Sequence, residues 1–385
     1  MATNALAVSV GPAPPPVARR NRNRYFDLLR AIALLRVMVY HTAGAWWLHL
    51  AFPAIGVMFG LAGSLMARSL DARGAVRVVG SRLRRMLPPV WVYGAVSVLL
   101  GWELVGSGPL RWEHIAFWLL PLKDPHQSSA NSGIVDTLWY VRTYLWLVLL
   151  TPALRWMFRR RPVVTLVTPL ALTGLYGLLN RAWSGGGLVA NLLGYGTCWM
   201  LGFAEYDGLL ERLPAAWALG TGAVAGLAGI GLQALHPDQV GRSDQAMLGY
   251  ALWSAAIVLL VLWWRPDMTW LRRCPPVDRL LDAVNARAVT IYLWHDPAIV
   301  AAGTLTALVG WPLYGLDRLP LVLLLTAAAT VLFGWVEDLA AGRRPTAPLR
   351  LPTAAPVAIG RHRAAVTPRL PVPRPPAETR QRKHS

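Results

Sequence analysis

Ten apolar stretches run through this 385-residue chain, each close to the ~20 residues that a helix needs to cross a bilayer. They fall at 26–48, 51–70, 88–105, 137–155, 163–180, 187–204, 214–235, 246–264, 288–310 and 319–338. In lipid a spanning segment must satisfy its own backbone hydrogen bonds, so runs of this length are read as helices. The expectation is an all-α integral membrane protein with ten transmembrane helices. A further run, 112–122, is too short to span and is broken by Pro121, so it is expected to lie at the interface or re-enter. Residues 123–136 form a polar loop.

Charge then orients the chain. There are 38 Lys and Arg against 19 Asp and Glu, a formal net charge of +19. In a soluble protein that balance would point to nucleic acid. Here hydrophobic residues make up 55% and charged residues only 15%, below the roughly 25% of soluble chains, and nucleic acid is set aside as a partner. With the N-terminus in the cytoplasm, 30 of the 38 basic residues fall on the inner side and only five, Arg111, Lys123, Arg181, Arg242 and Arg318, on the outer. That asymmetry obeys the positive-inside rule and needs an even number of spans, so both termini are expected in the cytoplasm. Arg30, Arg36 and Arg142 remain inside helices.

Residues 1–24 and 345–385 are rich in Pro, Ala and Arg and are expected to be disordered cytoplasmic tails that lean on anionic headgroups. They leave 25–344 as the membrane domain. Residues 1–24 hold no long apolar core, so the first run is expected to be an uncleaved anchor. The two cysteines, Cys198 and Cys274, exclude a disulfide framework or a cysteine-rich zinc site.

Ionisable residues within spans are costly and are therefore functional candidates. In FDLLRAIALLRVMVYH, Arg30 and His41 are eleven residues apart. At about 100° per residue they share one face, with a rise of roughly 16 Å between them. Arg36 falls on another face. Arg30 is read either as a headgroup anchor or as part of a site, and His41 either as a satisfied buried histidine or as a reactive one. At the inner edge, SRLRRMLPPVW closes the expected loop 68–87 and places Arg82 and Arg85 three apart on one face. They are either a topology signal or a bidentate clamp for phosphates. His295, Asp296 and Pro297 stand together in the ninth span, where the proline is able to open the helix. Arg142 lies in the fourth, with Asp136 and Glu103 as candidate partners or an acidic or sugar substrate as the alternative. GxSxG, P-loop, HExxH, CxxC and HxxxxD patterns are missing, as is a glycine-rich dinucleotide fingerprint.

These blocks resemble the acyltransferase-3 family of bacterial membrane acyltransferases. FDLLRAIALLRVMVYH is similar to its first-helix signature, an Arg and a His separated by ten residues, here Arg30 and His41. FPAIGVMFGLAGSLMARSL resembles its second-helix block, with Ala62 where a Ser commonly precedes the glycine. SRLRRMLPPVW resembles its RxxR element, matching Arg82, Arg85, Pro88 and Trp91. DTLWYV and VNARAVTIYLWHDP resemble later blocks, and GWVEDLAAGRRP loosely the closing one. The likeness covers about 24–345. Arg36 and Arg142 depart from it, at positions expected to be apolar.

The resemblance implies transfer of an acyl group, commonly acetyl, from acyl-CoA as a donor substrate rather than a tightly bound cofactor. The acceptor would be a hydroxyl of a sugar, an envelope glycan or a secondary metabolite, and the location the bacterial cytoplasmic membrane. His41 and Arg30 would be catalytic, Arg82 and Arg85 would meet the CoA phosphates, and His295, Asp296 and Arg142 would support. His41 could serve as general base or as nucleophile. No further soluble domain is expected after the tenth helix. Two other readings stay open: a transporter or flippase using the same polar residues without covalent chemistry, and a non-catalytic partner of a biosynthetic complex.

Overall fold

A computed structural model describes residues 23–45, 47–100, 119–123, 137–179, 187–235 and 247–343. Among them every regular element is a helix. The long ones are α1 (Arg24–Ala43), α3 (Ala54–Arg73), α4 (Ala75–Leu99), α5 (Leu138–Arg160), α6 (Pro162–Leu179), α7 (Leu188–Tyr206), α8 (Ala215–Ala234), α9 (Met247–Trp263), α11 (Ala288–Leu308) and α12 (Leu319–Phe333). Each overlaps one of the ten apolar stretches, although α4 starts thirteen residues before the stretch 88–105. Three short helices join them: α2 (Leu48–Ala51), α10 (Pro275–Ala286) and α13 (Trp335–Ala340). Length and apolarity alone qualify Ala215–Ala234 and Gly315–Phe333 as membrane-crossing helices, while Pro162–Leu178 and Met247–Trp263 are apolar but shorter. Helix α1 carries Asp27, Arg30 and Arg36, so its composition is less apolar and its polar side chains must point inward.

Outward faces are aliphatic. Leu219, Val224 and Leu227 on α8, Val163, Val164 and Leu175 on α6, and Leu324 and Leu332 on α12 are all exposed. Soluble monomers seldom expose apolar surface so continuously, and lipid is its natural cover. Inside, small residues set the spacing. A Cβ on Gly63 would come within 2.0 Å of the Trp199 carbonyl oxygen, and one on Gly202 within 2.1 Å of that of Gly60. Glycine is therefore obligatory where α3 crosses α7, the close backbone approach typical of membrane bundles.

Two expectations need correction. The stretch 68–87 is not a loop: it is helical on both sides of Gly74, whose φ of 77° turns the chain from α3 into α4. Pro88 and Pro89 consequently lie inside α4. The carbonyls they free are those of Arg84 and Arg85, both at exposed positions where water can satisfy them. Second, Pro297 does not break its helix, because α11 continues from Ala288 to Leu308. The expected partners of Arg142, Asp136 and Glu103, lie outside the described residues, as do most of the run 112–122 and nearly all of both tails; Asn23 and Arg24, expected in the first tail, instead cap and begin α1.

Stretches assigned to the inner side meet one another. Arg24 bonds Asp278 and Asp282 at 2.8 and 2.5 Å. Arg155 clamps Asp207 at 2.6 and 2.5 Å and reaches Asp71 at 3.1 Å. Arg265 pairs with Glu205 and Glu211, and Arg287 with Asp338.

Candidate active site

Helix α1 packs against α3, α10, α11 and α12. Its start is set by Asn23, whose side chain accepts from the Phe26 amide, and its end by Gly44, with φ 62°. Between those caps it presents Arg30 and His41 to one segment of chain. Arg30 Nη1 donates to Asn285 Oδ1 at 2.8 Å, and His41 Nδ1 lies 3.2 Å from Asp296 Oδ1. The two pairs have the same spacing on both segments, so residues 285–296 run alongside α1 in the same direction. The shared face read from the sequence is thus matched by a shared partner.

His295 joins this pair. Its ring lies 5.1 Å from that of His41, centroid to centroid, and is fully buried. Its Nδ1 is 2.6 Å from the Tyr292 carbonyl oxygen. A carbonyl only accepts, so Nδ1 carries the proton and Nε2 of a neutral ring keeps its lone pair. That Nε2 is buried, has no hydrogen-bond partner among the described residues and stands 3.3 Å from Asp296 Oδ1.

Asp296 is 4% exposed, whereas the His41 side chain is 29% exposed. A carboxylate accepting from Nδ1–H fixes the tautomer of His41 and leaves its Nε2 with a lone pair, the arrangement of an oriented general base. The same three side chains offer ligand atoms within 4.8 Å of one another, close enough to share a divalent cation. A histidine whose Nδ1–H is held by a backbone carbonyl is also a common metal ligand.

The inner arginines form a second group. Arg30 and Arg85 each lie within electrostatic reach of Arg82, and Arg85 also feels Arg343, Arg73 and Arg84. Arg82 Nη2 is 3.4 Å from Ser69 Oγ. Although Arg85 is exposed as a residue, partial desolvation of its head group, and then these neighbouring cations, hold the guanidinium below its usual value. Arg24 behaves oppositely: its hydrogen bond to Asp282 raises it. Arg142 is fully buried in α5, at 1% exposure.

Asn285 and Tyr292 were not singled out in the sequence. Asn285 Nδ2 also donates to the Asp27 and Leu281 carbonyls, so it locks α10 to α1 beneath Arg30. Tyr292 holds His295 from one side and donates its hydroxyl to the Thr137 carbonyl at 2.9 Å. Only Tyr292, one turn before His295, could have been found from spacing.

A family model described as an acyltransferase domain matches residues 23–337. The helical bundle with its histidine and arginine groups is therefore an acyltransferase domain by class. The match takes in well over half of the chain, and the protein belongs to the acyltransferase-3 family. No curated protein and no solved structure matches the chain.

Proposed function

We propose that this protein crosses the bacterial cytoplasmic membrane ten times, with both termini inside, and transfers an acyl group, acetyl in the first instance, from acyl-CoA to a hydroxyl of a sugar, envelope glycan or secondary metabolite. The observation that carries the chemistry is the 3.2 Å contact between His41 Nδ1 and Asp296 Oδ1. With Nδ1–H held by the carboxylate, the lone pair of this partly exposed imidazole is on Nε2, the atom that would take the acceptor's hydroxyl proton. The oxygen then attacks the thioester carbonyl, a C–O bond forms, the C–S bond breaks, and the proton passes to the departing thiolate. General-base catalysis of this kind contributes about 10²–10⁴-fold. The alternative, in which His41 Nε2 first receives the acyl group, uses the same lone pair.

Placement of the donor rests on charge. Arg82 and Arg85 form a positive group at the inner edge, and Arg30 extends it along α1 towards His41. CoA carries its phosphates at one end and its thioester at the other. Anchored at Arg82 and Arg85, it would reach along the roughly 16 Å of helix that separates Arg30 from His41. The ten-span topology is supported by the ion pairs that join the inner stretches to one another, Arg24 to Asp278 and Arg155 to Asp71 and Asp207 among them.

The deciding experiment is transfer from radiolabelled acetyl-CoA in membranes that contain His41→Ala at wild-type abundance. Label incorporation is expected to fall to background. Normal incorporation would remove His41 from the reaction, and acceptor movement without release of free CoA thiol would favour a transporter.

A further inference from the structure

Arg343 lies past the end of the family match at residue 337 and plays no part in the reaction above. Its backbone is fixed by a Schellman closure of α13. The Gly342 amide donates to the Leu339 carbonyl at 2.9 Å, and the Arg343 amide to the Asp338 carbonyl at 2.8 Å. Gly342 takes the left-handed φ, 68°, that this closure needs. Helix α13 is itself held. Glu337 accepts from the Thr290 amide and hydroxyl at 2.6 and 2.5 Å, and Arg287 donates to the Gly334 carbonyl at 2.7 Å. The helix packs against α4, so Arg343 leaves it from a fixed point beside the inner arginines.

Charge is the second observation. Arg343 Nε stands 3.6 Å from Asp338 Oδ1, but Arg287 holds that carboxylate more closely, at 2.5 Å. Counted over these three groups, one positive charge is left over. The Arg343 side chain is 55% exposed, and its guanidinium lies within electrostatic reach of Arg85. Arg73, at the end of α3, is a further neighbour of Arg85. It also lines an open hollow of about 610 Å³ at the α3–α4 turn, together with Gly74, Ala75, Val76 and Arg77. Space for a nucleoside therefore adjoins this cationic group.

The order of the cations matches the order of groups along CoA. Arg82 is within reach of Arg30 on one side and of Arg85 on the other, and Arg343 adjoins Arg85. Away from His41 the succession is Arg30, Arg82, Arg85, Arg343. Away from the thioester, CoA carries its pantetheine arm, then a diphosphate, and last a ribose with a 3′-phosphate. That last group is a phosphate monoester, close to a dianion at neutral pH, and two guanidiniums match its charge.

We propose that Arg343 and Arg85 together bind the 3′-phosphate of the CoA donor, while Arg30 and Arg82 face its diphosphate. Arg343 then sets the preference for CoA over donors that lack this phosphate. This inference rests on the acyl-CoA reading of the site.

The test titrates CoA and 3′-dephospho-CoA onto the purified full-length protein in nanodiscs, and needs no acceptor. CoA is expected to bind about tenfold or more tightly than the dephospho form, the worth of one charge-assisted contact. Arg343→Ala should weaken CoA about tenfold and leave 3′-dephospho-CoA unchanged, so that most of the preference is lost. Arg343→Lys should recover part of it, and Arg82→Ala should weaken both ligands. Equal binding of the two by the wild type, an unchanged affinity for CoA in Arg343→Ala, or an equal loss for both ligands there would each overturn the proposal. If Arg343→Ala fails to accumulate, the wild-type comparison decides. Binding of neither ligand by the wild type would sink the acyl-CoA reading itself.

Discussion

The two ends of α1 make the same kind of contact and put it to different use. At the start, Arg24 meets Asp278 and Asp282 of α10, with Asp27 3.6 Å away on its own helix. At the far end, His41 meets Asp296 of α11 through one ring nitrogen. Both join α1 to the segment that follows α9. The first is saturated: its charge is matched several times over, and the carboxylates raise the guanidinium further. The second works differently, because an imidazole whose Nδ1–H is held by a carboxylate carries its lone pair on Nε2. Matched charge holds helices in register, and an oriented lone pair is what a general base needs. Arg85 extends the contrast, since its charged neighbours among the described residues are other arginines, a group suited to an anion.

The difference between the ends is open to test. His41→Ala is expected to have the largest effect, a loss of transfer to background with normal accumulation. Asp296→Asn should come next. If the amide nitrogen turns toward His41, Nδ1 becomes an acceptor and Nε2 carries the proton, which removes the base. A fall in kcat of about 10²-fold or more is expected, with little change in KM for acyl-CoA. Retention of full kcat would mean that Asp296 only packs.

Arg85→Ala should act on donor binding. An increase of about tenfold in KM for acetyl-CoA is expected, with kcat retained and thermal stability unchanged or slightly raised, because like charges are thinned. An unchanged KM would reduce Arg85 to a topology signal. Arg24→Ala should give the smallest effect, about 1 kcal/mol in stability for a partly exposed ion pair and no change in kcat/KM per folded molecule. A catalytic defect there would erase the distinction between the two ends. Finally, EDTA treatment is expected to leave transfer intact. Loss on chelation, with recovery on adding back a divalent metal, would replace the proton-transfer reading of His41, His295 and Asp296 by a metal centre.

Much of the fold was legible because helix formation in lipid is a local property of the chain. Each of the ten long helices begins within a few residues of its apolar stretch except α4, where the sequence suggested a loop. Arginines and a pair of prolines look like an interruption in a hydropathy profile. The helix continues through them because its backbone bonds do not depend on side-chain polarity, and the carbonyls freed by Pro88 and Pro89 lie at a wet rim. Within the site, the common face of Arg30 and His41 follows from helical periodicity. That His295 and Asp296 belong to the same site could only be surmised, and Asn285 gave no signal, because a single asparagine near a helix end has many ordinary uses.

The sequence by itself determined the helices, where the basic residues cluster along the chain, and the spacing of Arg30 from His41 along one helix. These depend on runs and periods within twenty or so residues. Only the tertiary structure decided which carboxylate orients His41, which amide holds Arg30, and that Arg155 is neutralised while Arg36 Nη2 has no hydrogen-bond partner among the described residues. Those pairings join residues up to 258 positions apart. They are set by how glycines let α3 and α7 close together and how α10 and α11 lie along α1, and nothing local to either partner encodes them.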